Sequence, residues 1–124
     1  MKRLLVATAA LEGGTGVALL IAPSLVASLL LGTGLASPEG MMVARVGGAA
    51  LLAIAASCWL DRNRNPAPPV PGVVVGALVY NAIVAGLLLY AATAANMIGM
   101  LTWPAIILHV GMFVWCAGSL RGRE

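Results

Sequence analysis

The stretch GVVVGALVYNAIVAGLLLYAATAANMIGMLTWPAIILHVGMFVWCAGSL, residues 72–120, contains no Asp, Glu, Lys or Arg. Extended to its flanking cations, Arg64 and Arg121, the uncharged run is 56 residues long. About 18 apolar residues already suggest a membrane span, so this run predicts two, Gly72 to Ala95 and residues 101–120. The turn between them falls at Ala94-Ala95-Asn96-Met97-Ile98-Gly99-Met100, and Trp103-Pro104 opens the later helix with a proline in its first turn, where the missing amide hydrogen costs nothing.

Before this run, Asp61-Arg62-Asn63-Arg64-Asn65-Pro66-Ala67-Pro68-Pro69-Val70-Pro71 is charged and proline-rich, which favours extended polyproline conformations and an exposed loop. Further back, Ser37-Pro38-Glu39 combines an N-cap residue, a first-turn proline and a first-turn acid. A helix over residues 38–60 follows. Leu4 to Ala22 supplies another 19 apolar-rich residues, roughly 28 Å of helix. Lys2-Arg3 and the apolar residues after them have the parts of a secretory signal, but the apolar run continues past Glu12 to Ala22, so an uncleaved first span over residues 4–22 is the simpler reading. Pro23 breaks it. Residues 23–31 read either as a short interfacial helix or as a kinked continuation of the first span.

The 124 residues are 61% hydrophobic and 9% charged, against roughly 25% charged in soluble domains, and mean hydropathy is +1.02. A water-soluble globule is excluded, and the chain reads as one all-α domain over 1–124, four transmembrane helices in an antiparallel bundle. Six of the seven cations, Lys2, Arg3, Arg62, Arg64, Arg121 and Arg123, fall on one side of that bundle. The positive-inside rule then predicts a multi-pass protein of a bacterial inner membrane with both termini cytoplasmic. Trp59, Tyr90, Trp103 and Trp115 lie toward helix ends, as expected of headgroup-level aromatics. The cations form no basic stripe, which argues against nucleic acid. Cys58 and Cys116 fit neither a disulfide framework nor a structural zinc site.

Ionisable groups inside spans are costly and mark places to look for function. Counted at 1.5 Å per residue, Glu12, Asn81 and His109 all fall near the midplane. Thr8, Glu12 and Thr15 are spaced as one helical stripe, and Thr102, Ala105, His109, Met112 and Cys116 form another, with Ala77, Asn81 and Ala85 around the amide of the third span. The candidate intramembrane polar site is therefore Glu12, Thr15, Arg45, Asn81 and His109. Glu12 and His109 could exchange a proton; hydrogen bonds that merely hold the bundle together are the better-founded expectation. Arg45 is expected to snorkel to the headgroups or pair with Glu39.

Gly13, Gly14, Gly16, Gly47, Gly48, Gly72, Gly76 and Gly111 suggest tight helix contacts. Glu12-Gly13-Gly14-Thr15-Gly16 has no following lysine and lies within a span, so it is not a phosphate loop. Met41, Met42, Met97 and Met100 gather on one side, and His109, Met112 and Cys116 offer soft ligands on one helix. Methionine also fills gaps in ordinary packing, so neither a cofactor nor a metal is expected, and no catalytic residue set emerges.

The run Leu11-Glu12-Gly13-Gly14-Thr15-Gly16 through Ala22-Pro23, with Ala44-Arg45-Val46-Gly47-Gly48, resembles small uncharacterised bacterial four-helix membrane proteins, loosely the DoxX-like families. That resemblance implies the architecture and no particular reaction. Length, span count and a first-span glutamate are also similar to small multidrug resistance transporters, which implies proton-coupled transport through Glu12. In a transporter reading of these residues, Asn81 and His109 shape the environment of Glu12 and Arg45 guards the periplasmic entrance. Those transporters frame their substrate with aromatics, where the inward stripes here offer Ala, Asn, His and Thr. The resulting expectation is a structural or accessory membrane component, self-associating or packed against a larger membrane partner in the lipid bilayer. A proton-coupled small-molecule transporter is the alternative.

Overall fold

A computed structural model describes residues 1–64 and 71–121; the polyproline reading of residues 65–70 and the placement of Arg123 lie outside the described residues. Five helices make up the described chain: α1 (Lys2–Ile21), α2 (Pro23–Leu31), α3 (Pro38–Asp61), α4 (Gly72–Thr93) and α5 (Thr102–Arg121). Four of them, α1, α3, α4 and α5, are long and apolar enough to cross a membrane, and at most 28% of any such span is buried. The remainder of each span faces outward with residues such as Val43, Leu87 and Ile107. An outer surface of this kind is stable in hydrocarbon and not in water.

The breaks follow local chemistry. Ala22 leaves helical geometry (φ −136°, ψ 60°) and Pro23 starts α2 at N1, so the segment is a separate short helix. It ends at Gly32 in the left-handed region (φ 75°), where an added Cβ would run into the carbonyl of Ile98. Ser37 caps α3 as expected, its Oγ accepting from the Gly40 amide at 3.0 Å. The turn after α4 places Asn96 at φ 52°, a conformation asparagine tolerates better than most residues.

Leu4, Leu5, Cys58, Val74 and Cys116 share one buried cluster. The start of α1, the end of α3, the start of α4 and the end of α5 therefore lie together, as an antiparallel bundle requires. This is also the end that carries Lys2, Arg3, Arg62, Arg64 and Arg121. At the opposite end, α2 docks on the start of α5: the Leu101 amide donates to Leu29 O at 2.8 Å, and the Thr102 hydroxyl donates to Leu30 O.

Within the bundle α1 packs chiefly on α3 and α4 on α5, and contacts between the two pairs are sparse. The α1–α3 crossing is made at Gly16 and Gly48, where a Cβ on either would come within 2.8 Å of the other's carbonyl oxygen. Gly13 is in ordinary contact with Ala55, whereas Gly14, Gly47, Gly72, Gly76 and Gly111 meet nothing. The expected close packing therefore holds for Gly16 and Gly48 and fails for these five, all exposed, of which Gly76 lines an open groove between α3 and α4.

Candidate functional site

The sparse seam between the two pairs is where the polar residues gather. Glu12 is the eleventh residue of α1, Tyr80 and Asn81 the ninth and tenth of α4, and His109 the eighth of α5, so all four lie at mid-helix. Asn81 is fully buried and Glu12 is 4% exposed. A buried amide or carboxyl without partners costs several kcal/mol, and each has one.

Asn81 Nδ2 donates to Ala77 O, one turn back, at 2.7 Å. Its Oδ1 is thereby turned across the helix pair and accepts from His109 Nδ1 at 2.7 Å. Because an amide oxygen can only accept, this hydrogen bond requires the imidazole proton on Nδ1. The Tyr80 ring meets the imidazole edge to face, centroids 5.8 Å apart at 73°, and its hydroxyl faces the Glu12 carboxyl. Glu12, Tyr80, His109 and Asn81 form one chain that ties α1 to α4 and α4 to α5.

Three of the residues expected from sequence, Glu12, Asn81 and His109, are brought together; two are not. Thr15 is exposed, because the buried seam of α1 steps by four through Thr8, Glu12 and Gly16, and the three-residue step to Thr15 lands on the outward side. Thr8 spends its hydroxyl on Leu4 O. Arg45 is exposed and donates from Nε to Leu20 O at 3.3 Å rather than pairing with Glu39. Leu20 lies in the last turn of α1, where carbonyls lack helical donors, so Arg45 caps that end of α1.

Tyr80 is the member that sequence reading passed over. Tyrosine in a span usually marks the interface, but Tyr80 is mid-helix, and that depth is the signal that sets it apart from Tyr90. It also supplies an aromatic among the inward residues, where Ala, Asn, His and Thr were expected. Four surface grooves among the described residues lie elsewhere, none lined by Glu12, Tyr80, Asn81 or His109. Comparison with known proteins gives no family model, no curated protein and no solved structure that matches the chain.

Proposed function

We propose that the protein is a small accessory component of a bacterial inner membrane, with its cation-bearing end cytoplasmic, that acts by packing against further copies of itself or a larger membrane partner. The observation that carries this reading is the glycine distribution. Gly16 and Gly48 are consumed inside the molecule, whereas Gly72 and Gly86 on α4 and Gly111 and Gly118 on α5 are exposed and meet open space. In a span, small outward residues permit the close backbone approach that drives helix association. The Glu12–Tyr80–His109–Asn81 chain then serves as the clasp that holds the two helix pairs in register. Extraction in a gentle detergent followed by crosslinking is expected to trap a defined assembly, and a strictly monomeric species with no co-purifying protein would contradict it.

A second reading, a proton-coupled transporter using Glu12, is favoured by one feature: the clasp is built from three groups with exchangeable protons, Glu12, Tyr80 and His109, and not from amides and hydroxyls alone. It predicts proton-linked flux of lipophilic cations or small metabolites into vesicles that is lost in Glu12→Gln while the protein stays folded. Absence of flux from wild-type vesicles, with Glu12→Gln altering only stability, would dismiss it.

A further inference from the structure

A groove of about 390 Å³ runs along the α1–α3 pair toward the cation-bearing end. Ala9 and Ala55 form its floor, and its walls are Val6 and Ala10 on α1 and Ala56 and Trp59 on α3. The alanines open it, because each leaves out the longer side chain that would fill the space between the helices. Its mouth is basic. Lys2 and Arg3 are exposed and stand four and three residues before Val6, one turn back on the same helical face. On the other wall the Arg62 guanidinium lies 3.6 Å from the centre of the Trp59 ring, and its Nη1 donates to Trp59 O. Asp61 does not neutralise this mouth: the helical repeat puts it, two residues beyond Trp59, on the far side of α3, and it pairs with Arg64 at 3.6 Å. Among the described residues Lys2, Arg3 and Arg62 have no ion pair.

We propose that this groove binds one anionic phospholipid, with an acyl chain along the apolar walls and the phosphate held by Lys2, Arg3 and Arg62. A basic mouth between spans suits an anionic headgroup, and a guanidinium grips phosphate oxygens through two N–H groups at once. The depths agree. Val6 and Ala10 lie about 6 and 12 Å inward of Lys2 along α1, which places them at acyl-chain level when the cations are at the headgroups. Trp59 spans the junction between the two, as interfacial aromatics do. A second copy of the chain is a poorer occupant, because copies inserted in the same direction bring Lys2, Arg3 and Arg62 level with their own counterparts, and like charges brought together are costly. The groove also lies apart from the exposed glycines of α4 and α5 through which self-association is proposed, so the two sites can fail independently.

The test is native mass spectrometry of the full chain, released from detergent micelles after incubation with equal amounts of phosphatidylglycerol and phosphatidylcholine that carry the same acyl chains. Wild type is expected to retain one phosphatidylglycerol per chain, with a preference of roughly tenfold or more over phosphatidylcholine. Arg62→Gln should weaken that retention about fivefold, and Lys2→Gln with Arg3→Gln by more. Arg121→Gln removes a cation from the same end but from α5, and should leave retention unchanged. Ala10→Leu with Ala56→Leu fills the groove from its exposed side and should abolish retention of either lipid, with the unfolding curve of the lipid-free protein reporting that the variant is folded. Wild type alone supplies a second measurement: phosphatidylglycerol with a photoactivatable acyl chain should label residues 6–10 and 52–59. Equal retention of the two lipids, Arg121→Gln as damaging as Arg62→Gln, lipid held by the folded groove-filled variant, label confined to α4 and α5, or a second copy crosslinked at the groove in place of lipid would each overturn the proposal.

Discussion

At the scale of single residues, Asn81 is the pivot of the clasp, because it spends both ends of its amide, one on Ala77 O and one on His109 Nδ1. Asn81→Ala leaves the imidazole N–H without its acceptor and should lower stability by about 0.5–2 kcal/mol, the range for hydrogen bonds between membrane helices and for buried donors left unpaired. Reversible unfolding in mixed micelles measures it. Tyr80→Phe keeps the ring against His109 and removes only the hydroxyl that faces Glu12, so its loss should fall in the lower half of that range. Thr15→Val should stay within about 0.5 kcal/mol of wild type, as surface substitutions do; a loss as large as that of Asn81→Ala would mean that Thr15 belongs to the clasp. Glu12, Asn81 and His109 were legible because polar groups in spans are rare. Thr15 was misread because steps of three and four both stay near one helical face, and only the slant of the α1–α3 crossing decides between them.

At the scale of elements, the boundaries were legible and the orientations were not. Ser37-Pro38-Glu39 and Pro23 act through backbone chemistry within a few residues, so α2 and α3 begin where the sequence places them. Ser37→Ala should cost about 1 kcal/mol through the lost cap, read from the same unfolding curves. Glycines report that a helix can be approached closely, not from which side, and the direction depends on partners far away in the chain. Gly48→Val is therefore expected to destabilise by about 1–3 kcal/mol, the usual cost of overpacking, since its side chain would press on Gly16 O and on Leu19. Gly47→Val, one position along and facing open space, should be near neutral for the monomer. Equal losses in the two variants would refute the α1–α3 crossing described here.

At the scale of the whole molecule, two helix pairs are joined by a clasp and sparse apolar contact, with cations at one end. The four spans were legible because hydropathy is a one-dimensional signal that runs in order along the chain. The pairing of α1 with α3 and α4 with α5 was not, since it depends on side chains separated by tens of residues. Alkaline phosphatase fused after Ser37 or Asn96 should be active and after Asn65 inactive; the reverse pattern would invert the proposed orientation. The central claim, that this is a packing component whose outward glycines seat a neighbour, is tested most directly by energy transfer between labelled copies of the protein at dilute density in lipid vesicles. Wild type should show transfer above the random-proximity level, and Gly86→Leu with Gly111→Leu should abolish it while leaving the unfolding curve unchanged. Transfer at the random level for wild type, or undiminished in the glycine variant, would contradict the account.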